Sequence, residues 1–180
     1  NSLPAHPQSM CAIGGLNRKD ILEIMQPFID DVYIINQNSE YSFLLSGKYN
    51  SLEHILQDAV KMGALQTRML PVTHPYHSPL LKNASAVFNK AVQKMNIGVN
   101  TLPYVSAITQ KTITSLEDII TELTCNIFHE FHWHKTFLFL LDNGTDTFIE
   151  CGAGDSLYRL GKFIEGDFKI ITLKKIHKIC

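Results

Sequence analysis

Two hydrophobic periods alternate along residues 10–72, and their order leaves few folds open. Met10–Gly14 is short, apolar and closed by Gly14-Gly15, which predicts a strand. Ile21, Leu22, Ile24, Met25 and Phe28 then fall near helical spacing over Arg18–Phe28. Val32–Ile35 is a β-branched run and predicts a second strand, with turn chemistry over Asn36–Ser39. Ser42–Ser46, stopped by Gly47, predicts a third. Ser51 is the expected N-cap of a helix striped by Leu52, Ile55, Leu56, Ala59 and Val60, which Gly63 would end. Ala64–Val72 reads as a fourth strand. The order β-α-β-β-α-β within about sixty residues is the split βαβ, or ferredoxin-like, arrangement.

From residue 73 the texture changes. Thr73–Pro79 is a loop holding two histidines and two prolines, and residues 80–95 read as a helix with Leu81, Ala84, Val87, Phe88, Ala91 and Val92 on one side. Tyr104–Ile108 reads as a short strand. Ser115 is placed to cap a helix running to about Phe128, with Glu117 and Asp118 at its positive end. A helix over Lys135–Leu141, a strand over Asp146–Cys151, the turn Gly152-Ala153-Gly154, a helix over Asp155–Ile164 and a strand over Lys169–Leu173 complete the chain. That alternation implies an α/β layer. The division expected is a linker over 1–9, a small ferredoxin-like unit over 10–72 and a larger α/β unit over 73–180.

Composition narrows the function classes. With 45% hydrophobic and 18% charged residues in 180, the chain has the makings of a folded core and is not a disordered one. A net charge of -1 argues against a nucleic-acid binder that works by bulk electrostatics. The longest apolar run, Phe137–Leu141, is far short of the ~20 residues of a membrane span. No secretory signal is evident, and the four cysteines form no CxxC pair, so a reducing, cytoplasmic setting is expected and a zinc ribbon is not. The chain starts at Asn1 and not at Met, as a fragment, a processed product or part of something longer would.

Few residues carry candidate chemistry. No serine sits in Gly-x-Ser-x-Gly, the pattern of a nucleophile on a sharp strand-to-helix turn. Either the chain is no serine enzyme or the nucleophile lies outside it. His74-Pro75-Tyr76-His77-Ser78 follows a strand. A histidine on a rigid loop there suits a general base, although loop histidines are also common without a role. His129, His132 and His134 cluster with Glu130, but the helical His-Glu-x-x-His spacing is absent and no cysteine is near, so no metal is expected. Gly152-Ala153-Gly154 is followed by Leu157 where a dinucleotide fingerprint has glycine, and reads as a tight turn.

Taken in order, several segments resemble the malonyl-CoA:acyl-carrier-protein acyltransferase family of fatty-acid and polyketide synthesis. They are Met10-Cys11-Ala12-Ile13, Asn36-Gln37-Asn38-Ser39 with Phe43–Gly47, Leu70–Leu81 around His77-Ser78, Phe131-His132-Trp133, and Phe148–Gly154. The resemblance spans nearly the whole chain. It departs from the family at Glu130 and Ala153, where the family has prolines.

The resemblance implies a serine acyl-enzyme with His77 as catalytic base. The serine, the oxyanion-hole glutamine and the carboxylate-binding arginine belong to a segment preceding the matched region. It implies substrate-facing roles for Asn36 and Asn38 at the mouth between subdomains, and for His74 and Tyr76. His132, the residue before the tryptophan, would orient the histidine through its backbone carbonyl. The implied partners are a CoA thioester, an acyl carrier protein and an amino-terminal segment bringing the serine, with no cofactor, nucleic acid or membrane. An acyl hydrolase on the same scaffold and a non-catalytic interaction module are the alternatives. His74-Pro75-Tyr76-His77 matches the family's malonyl-selective "His-Ala-Phe-His" in its first and third residues, which implies malonyl over methylmalonyl.

Overall fold

The computed structural model describes residues 7–98 and 102–173. The basic run Lys174–Lys178 and Cys180 lie outside the described residues. The chain forms two compact units, Asn1–Trp133 and His134–Cys180.

In the first unit, β1 (Gln8–Gly14), α1 (Arg18–Met25), β2 (Val32–Ser39), β3 (Ser42–Lys48), α2 (Tyr49–Lys61) and β4 (Gln66–Met69) follow in the expected order. The strands form one antiparallel sheet in the order β2-β3-β1-β4, which is the ferredoxin-like topology. Asn17 caps α1: its Oδ1 accepts from the backbone N–H groups of Lys19 and Asp20, while the Asp20 carboxylate accepts from the Asn17 N–H. The core is the contact between helices and sheet. Ile21, Phe43, Leu45, Leu52 and Ile55 are fully buried, and each such side chain contributes ~1.5–3 kcal/mol of burial free energy.

Several sequence expectations need correcting here. β1 starts at Gln8, inside the stretch read as linker. Asn36–Ser39 is not a turn but the second half of β2, which pairs with Leu44, Phe43 and Ser42 through two register shifts; the chain reverses at Glu40-Tyr41. Bulges let the polar run stay in the sheet. Ser51 is not the N-cap of α2, because the helix begins at Tyr49 after Lys48; its hydroxyl donates instead to Asp31 Oδ2 at 3.1 Å. β4 is shorter than read, since only Cys11–Gly14 of β1 pairs with it.

Cys11 lies on β1 within this core, and burial pushes its thiol pKa up to about 12. A disulfide reagent at pH 8 should therefore modify exposed Cys151 readily and leave Cys11 untouched until the chain unfolds, as peptide-resolved mass spectrometry would show.

After the sheet, a 3-10 turn at Pro79–Leu81 leads into α3 (Lys82–Val92), shorter than the helix expected to residue 95. Of its predicted apolar stripe only Val92 is buried, and Val87 is 73% exposed, because the packing partner of α3 is α4 (Leu116–Asn126) and not the sheet. Between them, β5 (Tyr104–Val105) and β6 (Thr112–Ile113) make a small hairpin where one longer strand was expected. Ser115 caps α4 as read, in a reciprocal box with Asp118. The buried Glu122 carboxylate accepts from Ser106 Oγ at 2.6 Å and from the Ala107 N–H at 3.2 Å, which ties the hairpin to α4.

The second unit is smaller. Trp133–Asp142 (α5) leads into it, and β7 (Thr147–Glu150) pairs in parallel with β8 (Lys169–Thr172) through α6 (Ser156–Gly161). Phe137, Phe148 and Phe168 pack ring on ring, with centroids 4.0 Å and 5.0 Å from Phe137. The Glu150 carboxylate accepts the N–H groups of Leu157 and Tyr158, which would otherwise be unpaired in the first turn of α6. No helix among the described residues is long and apolar enough to cross a membrane.

Candidate functional site

α4 ends at Asn126, so the carbonyls of its last turn have no partner within the helix. Two carbonyls at this end are taken by His77. Its Nδ1 lies 2.6 Å from the Asn126 oxygen, and its backbone N–H donates to the Ile127 oxygen at 2.8 Å. A carbonyl only accepts, so Nδ1 carries the proton and Nε2 is left with its lone pair. That is the tautomer a general base needs.

The loop that presents His77 is tightly held. Pro75 and Ser78 are buried, and Ser78 Oγ donates to the Pro75 oxygen at 2.6 Å. His77 itself has φ +58°, a left-handed conformation that is rare outside glycine and is kept only where surroundings enforce it. Its half-buried ring stands edge-on to Phe131, with centroids 4.5 Å apart. Burial lowers the His77 pKa from its ordinary 6.5, and the Asn126 hydrogen bond only partly opposes this. The ring lines a cavity of about 530 Å³, together with Arg18, Lys82, His129, Glu130 and Tyr33. Arg18 pairs with Glu130 across it at 3.2 Å.

The other residues singled out in the sequence are placed as follows. Tyr76 is 46% exposed, next to His77 in the loop, with its ring 5.8 Å from that of His74. His74 Nδ1 lies 2.9 Å from Thr73 Oγ1. Asn36 is buried: its Nδ2 donates to Asn38 Oδ1 at 2.5 Å and its Oδ1 accepts the Trp133 N–H at 3.2 Å. Asn38 is half-buried beside it. At His132 the N–H donates to the Ala107 oxygen and the ring faces Glu130 at 3.4 Å, while His77 Nδ1 is bonded to the Asn126 oxygen. The orienting carbonyl is that of Asn126, six residues earlier. Among the described residues no group of three histidines, cysteines or carboxylates is arranged to hold a metal ion.

Asn126 and Phe131 are the functional neighbours that sequence reasoning missed. A main-chain carbonyl leaves no side-chain signature. Phe131 lies within a quoted segment, but nothing in its spacing announced contact with a residue 54 positions away.

In fold and in sequence, the chain is similar to acyltransferases. More particularly, it is similar to the malonyl CoA-acyl carrier protein transacylases, although no protein-family model matches it. It is 25% identical over 181 residues to the transacylase of Staphylococcus aureus (strain MRSA252), a match covering 99% of this chain and 59% of that protein. It superimposes on the crystal structure of FabD from Acinetobacter baumannii with a TM-score of 0.88 and 25% identity, covering 98% of this chain and 58% of that one. The complex of a type II polyketide acyl-carrier protein with its malonyl-transacylase contains a chain of the same fold, at a TM-score of 0.88 and 23% identity over 95% of this chain and 56% of that one. The chain thus spans a little under three-fifths of the length of these relatives.

Proposed function

We propose that this chain is the histidine-bearing part of a malonyl-CoA:acyl-carrier-protein acyltransferase whose nucleophile lies on a segment outside it. The observation that carries the reading is the His77 constellation: Nδ1 tied to a backbone carbonyl, Nε2 unprotonated, the ring beside a cavity. His77 Nε2 takes the proton of a serine hydroxyl as that oxygen bonds to the thioester carbonyl. The CoA sulfur leaves and takes the proton from the imidazolium. In the second half the phosphopantetheine thiol of a carrier protein gives its proton to His77 as its sulfur attacks the acyl-serine carbonyl; the serine oxygen then leaves and takes that proton back from the imidazolium. No cofactor enters this scheme. A reducing compartment suits the free thiols of Cys11, Cys125 and Cys151.

The test is complementation. The chain is co-expressed with the part of the Staphylococcus aureus relative that it does not match, and transfer of labelled malonyl from malonyl-CoA to a holo carrier protein is followed. Transfer is expected only with both pieces present. Associated pieces that form no acyl-enzyme would overturn the reading, and release of free malonate without transfer would favour a hydrolase.

Tyr76 is proposed to set acyl selectivity, because it immediately precedes His77 in the loop, at the position where the resemblance puts the residue facing an α-methyl branch; its ring packs near that of His74. One methyl group in a pocket is worth about 1–3 kcal/mol, so malonyl should be preferred over methylmalonyl by roughly 10–200-fold. Tyr76→Ser should narrow that ratio about tenfold in a competition assay. An unchanged ratio would remove Tyr76 from the acyl pocket.

A further inference from the structure

We infer that Asn36, on the ferredoxin-like sheet, is a positioning residue for His77 and acts through the ring of Phe131. The role of His77 as base rests on the reading above; the coupling of Asn36 to its ring does not.

Residues 131–133 lie along the polar half of β2 as a short pseudo-strand. The Phe131 N–H donates to the Ile35 oxygen at 3.1 Å, Asn36 and Phe131 form a parallel bridge, and the Trp133 N–H donates to Asn36 Oδ1 at 3.2 Å. The last bond is not a ladder bond. At this position β2 shifts register between Ile34 and Asn36, so a side chain stands in for a strand carbonyl. Only a short side chain with an acceptor and a donor completes the arrangement, because Asn36 Nδ2 is itself held by Asn38 Oδ1. Asn36 is 2% exposed, so water does not compete for either bond.

What the bridge fixes is Phe131, whose ring meets the His77 ring edge-on at 4.5 Å. His77 is thus held from two sides. Asn126 and Ile127 anchor the loop and Nδ1 from the end of α4, and β2 supplies the apolar wall through Phe131. Removing the wall admits water to the ring and weakens the preference for the neutral form. The charged and titratable groups that line the cavity with His77 are Arg18, Lys82, His129, Glu130 and Tyr33, and His132, on the 131–133 segment itself, meets Glu130 at 3.4 Å.

The experiment uses this chain alone and needs no nucleophile. Nitrogen-15 and carbon-13 NMR would follow the tautomer and titration of the His77 ring, assigned with His77→Gln. In the parent chain His77 should titrate below 6.5 with its proton on Nδ1. Asn36→Leu, and the smaller Asn36→Ser should the first not fold, should move that titration up toward 6.5 and abolish the proton–proton contact with the Phe131 ring. Phe131→Leu should do the same, and the double variant should match either single one, since residues acting in series are not additive. An unmoved His77 titration in a folded Asn36 variant would overturn the inference, and additive shifts would show that Asn36 acts by another route. Failed malonyl transfer in the complementation assay would leave these outcomes as they stand.

Discussion

In the transferase proposed above, His77→Ala is expected to slow acyl-enzyme formation on the order of 10⁴–10⁶-fold while the fold persists, as loss of a triad base does. His77 is loop-borne and only half-buried, so its truncation leaves no large apolar cavity. Stopped-flow acylation by malonyl-CoA would read the change, and near-parent rates would remove His77 from the mechanism. The same residue sets a pH expectation. Its pKa lies below the ordinary 6.5, so the neutral base persists into mild acid and the acid limb of kcat/KM should fall below pH 6.5. The stability linkage has the same cause. The folded state holds the proton less tightly than the unfolded chain, so the contribution of His77 is complete above its unfolded pKa and declines as pH falls below 6.5.

The second large effect is on stability. Gly47→Ala should destabilise the first unit by about 3 kcal/mol, the upper end of ordinary overpacking. β2 and β3 approach closely where Val32 faces Gly47. A Cβ at Gly47 would overlap the Asp31 carbonyl oxygen and come within 2.8 Å of Val32 Cα and 2.9 Å of its Cγ2. Those are largely backbone atoms, and Asp31 is further fixed by Lys48, whose N–H donates to its carbonyl at 3.1 Å and whose ammonium pairs with its carboxylate at 2.7 Å. Gly152→Ala is the control, since nothing lies within 4 Å of its Cβ. Urea midpoints would compare the two, and equal midpoints would show that the β2–β3 pair yields freely.

The ferredoxin-like sheet was legible because its signals are local: glycine stops, β-branched runs and two amphipathic helices in a fixed order. Failures came where polar residues entered secondary structure. Asn36–Ser39 carries turn composition, yet the bulged pairing with β3 holds it in the strand. Ser51 has the chemistry of a cap, but the helix starts two residues earlier and its hydroxyl is taken by Asp31. The stripe on α3 was read from its period, and period alone does not say what lies opposite; Val87 is exposed in spite of it. The His77 loop was visible as a histidine following a strand. The Asn126 carbonyl that fixes its tautomer was not, because hydrogen bonds to the main chain carry no residue identity.

Every amino acid brings the same carbonyl, so the bond to His77 depends on where α4 stops and not on which residue stops it. Position 126 is free to change its side chain over evolutionary time while the base keeps its orientation. A one-residue insertion or deletion within α4 would instead rotate the terminal carbonyls by about 100° and disconnect the histidine. The inheritance of the site is therefore written in helix length, and a comparison of side chains alone passes over it.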